Sequence, residues 1–236
     1  MRASCSDYRK PNPKTDQVVQ SWDGYLSYLL VVDEASCFMW VFLTKSKDPP
    51  LDIIDQFLWK FGHDGGGSIR FDQGGELAKS SALADMILRE HNYVFEPTGA
   101  DSPLQNSAVE TYNDKLAVRT RTLLYGANLP AKYWSAALVH AVYLNNWLVH
   151  TVTKKTPFEG FYGHKPDIEY LKMFGSRVCV KQSGDRRSKL DRHDFTGIFL
   201  GYTALDNNIR YLDMESGMVK ESHHAVFDEA WYMQPH

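Results

Sequence analysis

Cysteine is scarce in this chain. Its 236 residues hold three, Cys5, Cys37 and Cys179, odd in number and far apart, which excludes a disulfide framework and a CxxC metal site. Long apolar runs are missing too: none approaches the roughly 18 residues a membrane helix requires, so no membrane partner is expected. Met1 opens onto Arg2 and polar residues rather than the apolar core of a secretory signal, so the expected location is intracellular and not secreted. Low-complexity tracts are also lacking. With 43% hydrophobic and 13% aromatic residues the chain has the composition of a folded protein, long enough for one large domain or a medium one plus a small one.

The net charge of -3 hides an uneven distribution. Residues 151–192 carry a net +5, flanked by -3 before them and -5 after them. A basic segment between acidic ones attracts nucleic-acid phosphates, and a solvated loop of Lys and Arg has the same composition.

Along the chain, residues 1–24, with Lys10, Pro11, Asn12, Pro13 and Lys14, lack apolar periodicity and read as an extended lead-in. The runs SYLLVV from Ser27 and FMWVFL from Phe38, separated by Asp33, Glu34, Ala35 and Ser36, read as a β-hairpin. Pro49 and Pro50 suit a helix start, and Ile54, Phe57, Leu58 and Phe61 follow at helical spacing until Gly65, Gly66 and Gly67. A strand at 68–72, a helix at 76–91 with Leu83, Ile87 and Leu88 inward, and a strand at 93–96 complete the order β, β, α, β, α, β. Long helices follow at 105–125, with Val109, Tyr112, Leu116 and Leu123 on one face, and at 131–150, with Trp134, Leu138, Val142 and Leu148. Four β-like runs, 177–181, 196–202, 209–213 and 219–227, then make a small all-β module. The expected division is a lead-in (1–24), a core (25–155), a connector (156–176) and the β module (177–236).

Asp72 is the first candidate for chemistry, because open α/β sheets place their ligands at the carboxyl ends of strands. It is followed by Gln73, Gly74, Gly75 and Glu76, and a turn or capping role fits the same residues. Glu110, in the first turns of the long helix, borders the buried face; a carboxylate there also stabilises a helix N-terminus. Lys115 and Arg119 stand at i, i+4 on that helix with Arg121 nearby, and Arg186, Arg187, Lys189 and Arg192 cluster near the β module. Phosphate binding and ordinary solvated charge both suit these cations. His223 and His224, adjacent on a strand-like run, would point to opposite faces and so chelate one ion poorly. Asn145, Asn146 and His150 read as packing and surface positions.

The wording around the two acids is more specific. IRFDQGGE at 69–76, PLQNSAVETYN at 103–113 and RSKLDRHDFTGIFLGY at 187–202 resemble the integrase of Ty1/copia-type long-terminal-repeat retrotransposons. So do SYLLVVDEAS, WVFLTKSK, LPAKYWSAAL, KTPFEGFYGHKP and MFGSRVCV, in the family's order, from about Tyr25 to Trp231. The resemblance implies an α/β ribonuclease-H-like core, a mixed sheet flanked by helices, followed by a small all-β SH3-like barrel. It implies a Pol polyprotein product that acts on DNA in the nucleus or a cytoplasmic particle, with element ends and target DNA as partners and a homo-oligomer as a candidate assembly.

The chemistry it implies is phosphoryl transfer. Water nicks the element DNA near its end, and the freed 3′ hydroxyl attacks a phosphodiester of target DNA. Charge accumulates on phosphoryl oxygens, and three acids hold two Mg²⁺ (or Mn²⁺) ions against it. All-oxygen ligands suit Mg²⁺. By the residues flanking them, Asp72 matches the second acid and Glu110 the third, so both become catalytic and metal-holding candidates, and Lys115, Arg119, Arg121, Arg186, Arg187 and Lys189 become DNA contacts. The first acid has no match: Asp33 ends an apolar run, but in the family this segment is a turn, and MRASCSDYRKP resembles sequence just downstream of the missing residue. Asp16 and Asp23 are weak substitutes in polar stretches. Ser107 stands in place of a usual Gly, Phe71 in place of a small residue, and Cys37 and Trp147 in place of usual Arg. The family's zinc-binding amino-terminal module has no Cys/His quartet here. The expectation is an integrase module that is catalytically dead or nearly so, with a non-enzymatic nucleic-acid-binding or protein-interaction remnant as the alternative.

Overall fold

The computed structural model describes residues 2–7, 19–46, 48–62, 66–71, 77, 80–97, 103–151, 153–181, 194–203 and 208–229. The chain divides into two compact units, Met1–Val118 with Val142–Pro166, and Arg119–Ala141 with Asp167–His236.

The first unit is built on five strands: β1 (Arg2–Asp7), β2 (Ser27–Val32), β3 (Met39–Thr44), β4 (Gly67–Phe71) and β5 (Tyr93–Pro97). They lie in the order β3-β2-β1-β4-β5. β2 runs antiparallel to both β1 and β3, whereas β4 runs parallel to both β1 and β5, giving the mixed sheet expected of a ribonuclease-H-like core. Every residue of β2 is buried, which accounts for its unbroken apolar run: helices cover both of its faces. On one face α1 (Leu51–Phe61) and α2 (Ser81–Arg89) bury Ile54, Phe57, Leu58, Leu83 and Ile87 against Leu29, Val31 and Ile69. On the other face α3 (Pro103–Gly126) is fixed by the Tyr28 hydroxyl, which donates to Asn113 Oδ1 at 3.3 Å.

Several details depart from the periodicity. The lead-in contains β1, at the centre of the sheet. α2 starts at Ser81 because Ser80 caps it, its hydroxyl accepting from the Leu83 N–H. Leu88 is 54% exposed: Leu83 and Ile87 stand four apart and define the buried stripe, and Leu88 lies a further 100° round the helix. The helix expected at 131–150 is a 3-10 turn (Ala131–Tyr133) followed by α4 (Trp134–Trp147), which ends before the exposed Leu148. α5 (Pro157–Tyr162), capped by Thr156, sets Phe158, Phe161 and Tyr162 around Phe38 and Trp40 in the first unit.

The second unit carries an antiparallel sheet of β6 (Arg177–Lys181), β7 (Asp194–Tyr202), β8 (Ile209–Asp213), β9 (Val219–Ser222) and β10 (Ala225–Asp228), in the order β10-β6-β7-β8-β9. Val178, Val180, Phe199, Ile209 and Tyr211 fill its core. The run at 219–227 is two strands interrupted at His223 and His224, both exposed. A Cβ on Gly197 would stand 2.4 Å from Tyr211 Cδ2, so the close crossing of β7 over that ring requires glycine. His140 of α4, 2% exposed, lies among Phe174, Phe199 and Tyr202, with ring centroids 5.3 to 6.0 Å away.

Candidate functional site

The topology sets β4 between β1 and β5 and ends its described length at Phe71, one residue before Asp72. Asp72 itself lies outside the described residues. Glu110 belongs to α3, one helical turn before Asn113, which ties that helix to β2 through Tyr28. Sheet and helix thus come from the two elements that the sequence pattern assigns to the second and third acids.

The first acid can be examined at each alternative. Asp33 turns the β2–β3 hairpin. Its Oδ2 accepts from the Ser36 N–H at 3.0 Å and the Ser36 hydroxyl at 2.6 Å, while its carbonyl accepts from Cys37 N–H at 2.8 Å. These bonds hold Cys37 at φ +61° and commit Asp33 to the turn. Asp23 sits in the tight turn of residues 21–24, where Gly24 N–H donates to the Ser21 carbonyl. Asp16 lies outside the described residues. β1 has one acid, Asp7. The register places Ala3 level with Phe71, so Asp7 falls four residues, about 13 Å, beyond the end of β4, opposite Ser27. The signal for β1 that periodicity overlooked is the alternation of Ala3 and Cys5 with polar neighbours, too small an apolar face to register as a strand.

Lys115, Arg119 and Arg121 are all exposed on α3, with Lys115 Nζ 5.8 Å from the Tyr112 ring centroid. Arg186, Arg187, Lys189 and Arg192 lie outside the described residues, in the segment joining β6 to β7 and therefore inside the β module rather than ahead of it.

The strongest titration shifts belong to the framework. Burial would raise the Asp213 carboxyl, but hydrogen bonds from Lys220 Nζ at 2.5 Å, from the Ser216 hydroxyl at 2.8 Å and from the Glu215 N–H outweigh it and bring it down to about 2. Burial lowers His140 to about 4 and raises the Tyr202 phenol to about 12.

Residues 176–235 match the sequence family described as the retroviral polymerase SH3-like domain. Along 90% of its length the chain is 26% identical, over 216 residues, to the retrovirus-related Pol polyprotein from transposon TNT 1-94 of Nicotiana tabacum. It is 27% identical over 220 residues, 89% of the chain, to that from transposon RE2 of Arabidopsis thaliana. The chain spans 16% and 14% of those proteins, so it corresponds to one portion of a much longer polyprotein. In fold it is similar to a chain of the simian T-cell lymphotropic virus intasome in complex with PP2A regulatory subunit B56 gamma. The TM-score is 0.51 at 13% identity, covering 94% of this chain and 78% of that one. The match to the SH3-like family thus lies in the tail of a chain that is similar along most of its length to transposon Pol polyproteins.

Proposed function

We propose that the chain is the DNA-integration module of a copia-type Pol polyprotein, built for metal-dependent 3′-end processing and strand transfer and crippled in the form it takes here. The observation that carries this reading is the relatedness to transposon Pol polyproteins along nine-tenths of the chain, on a core whose sheet order sets β4 beside the central strand. Asp72 and Glu110 are the catalytic and metal-holding acids. The donor set fits Mg²⁺ or Mn²⁺ in kind, since both are carboxylates, and falls short in number. Bound divalent ions supply charge neutralisation on the phosphoryl oxygens and a more acidic attacking hydroxyl. The side chains supply the fixed negative charge that keeps such ions over the DNA backbone.

The shortfall has a structural argument. Among the described residues the alternatives for a third acid are spoken for: Asp33 by its turn, Asp23 by a turn before β2, and Asp7 by a register that carries it about 13 Å past the end of β4. Lys115, Arg119 and Arg121 on α3, with Arg186, Arg187 and Lys189 of the β6–β7 segment, take DNA phosphates, and copies of the chain assemble on element ends.

The exposed cations of α3 also favour a second reading, a non-enzymatic nucleic-acid-binding remnant. One experiment separates the two. Strand transfer by the purified chain on element-end oligonucleotides with Mg²⁺ or Mn²⁺ is expected to be barely detectable, and lost in Asp72→Asn and Glu110→Gln. Binding to duplex DNA, salt-dependent and weakened in Arg186→Gln/Arg187→Gln, survives in both acid variants. Robust turnover defeats the crippled reading; turnover untouched by either acid variant defeats the assignment of the acids.

A further inference from the structure

Asp55 of α1 and Glu90 and His91, which follow α2, lie 35 positions apart in sequence, yet a carboxylate oxygen of each acid and a ring nitrogen of His91 come within 4.8 Å of one another. His91 is placed firmly. Its side chain is 4% exposed, Nε2 is 2.7 Å from Asp55 Oδ1, and the Trp59 ring stands edge-on with its centroid 5.0 Å away. Asp55 accounts for that nitrogen. Glu90 is not accounted for: its carboxylate has no hydrogen-bond or ion-pair partner among the described residues, although it is held beside another carboxylate. Two carboxylates at such a distance repel by about 1 kcal/mol even in water, and more where the neighbouring imidazole is out of solvent.

We propose that Asp55, Glu90 and His91 bind a divalent transition-metal ion, Zn²⁺ by preference, which ties α1 to the turn between α2 and β5. The donor set of one imidazole nitrogen and two carboxylate oxygens matches zinc sites that leave a further position for water. Zinc bonds to these groups are about 2.0 to 2.2 Å long, so neighbouring donors of a tetrahedral ion stand about 3.4 Å apart. The three donor atoms, all within 4.8 Å of one another, reach that spacing when Glu90, the exposed member, moves in and the 2.7 Å contact between Asp55 and His91 opens slightly. The ion replaces the direct hydrogen bond between His91 and Asp55, and it gives Glu90 a counter-charge. None of these residues serves the phosphoryl-transfer reading, so the site stands or falls independently of it.

The test uses the untagged full chain, stripped with chelator and titrated with ZnCl₂ alone, by calorimetry and by thermal unfolding. A tightest site of one equivalent is expected, with a rise in melting temperature on zinc addition. Glu90→Gln, a surface change that leaves folding intact, is expected to weaken that site by about tenfold or more, and His91→Gln to abolish it. Co²⁺ in place of Zn²⁺ is expected to give visible d–d absorption in the parent chain that His91→Gln lacks. Unchanged zinc affinity in Glu90→Gln, or no stoichiometric binding to the parent chain, overturns the proposal; should His91→Gln fail to fold, the Glu90→Gln result alone decides.

Discussion

Asn146 offers the sharpest test of how the core is held at its edge. β3 is the outermost strand, and Met39 presents its N–H and carbonyl to the side away from β2. The carboxamide of Asn146, on α4, takes both: Oδ1 accepts from the Met39 N–H at 2.9 Å, and Nδ2 donates to the Met39 carbonyl at 2.8 Å. Side chain and strand are 5% and 2% exposed, so water does not readily replace the lost partners. Truncation in Asn146→Ala leaves one buried donor and one buried acceptor unmet, each costing about 1 to 3 kcal/mol, partly relieved by water entering the space vacated. A loss of about 3 kcal/mol follows, which for a chain of this size corresponds to a melting temperature lower by about 6 to 12 °C. Hydrogen exchange localises the effect: the Met39 amide should lose protection before the β2 amides do. Asn146→Asp keeps the acceptor but sets an anion against the Met39 carbonyl, and is expected to be at least as damaging at neutral pH. A fall below about 2 °C with unchanged exchange at Met39 would refute the reasoning and leave Asn146 a packing residue.

His140 predicts a pH dependence confined to the second unit. Its folded pKa of about 4 lies below the ordinary 6.5, so above 6.5 both folded and unfolded chains hold it neutral and it contributes no slope. Between 6.5 and 4 the unfolded chain takes up a proton that the folded chain refuses, and stability falls with falling pH by about 3 kcal/mol in all. The urea midpoint of β-module unfolding measured from pH 7.5 to 4 should show this slope in the parent chain and lose it in His140→Phe. Asp213 acts in a lower window: its folded pKa near 2 against 3.8 gives stability that is complete above about pH 4 and disappears as the pH drops toward 2. Asp213→Ala leaves the Glu215 N–H and the Ser216 hydroxyl without their acceptor, and should destabilise the module by about 2 to 4 kcal/mol; Lys220→Met leaves the 2%-exposed Asp213 carboxylate without its counter-charge and should cost at least as much. Gly197→Ala drives a methyl into Tyr211 and the Leu212 carbonyl, and circular dichroism melts should report a loss of about 1 to 3 kcal/mol confined to the β module.

What the sequence disclosed follows from how strongly each element signals itself. β2 and β3 are apolar on both faces or nearly so, and the helix α1 carries a clear stripe, so their order and extents are legible. β1 is not, because a central strand of Ala, Cys and Ser with an Arg and an Asp at its ends shows little hydrophobic contrast; its place is fixed by pairing with β2 and β4, which no local pattern encodes. The interrupted run at 219–227 reads as one strand because His223 and His224 break the pairing without a glycine or proline to mark it. Asn146 looks like a helix surface position for the same reason: the demand it meets, an unpaired strand edge, arises 107 residues away.

The same distinction governs the candidate site. Asp72 and Glu110 are visible through the residues around them, since a strand-end acid before paired glycines and an acid early in a long helix are local features. The first acid is a question of register. Asp33 has the better local credentials, ending the most apolar strand in the chain, but its carboxylate closes a hairpin through Ser36 and is spent there. Asp7 lies on the central strand, and the register sets it four residues, about 13 Å along the strand direction, past the level of Phe71. The register sets Ala3 level with Phe71, with Arg2 and Ser4 beside it, a pairing that no local pattern in β1 marks. On the proposed reading, two acids without a third would hold an ion loosely over a phosphate without aligning two, whereas phosphate binding by the exposed cations of α3 would require neither.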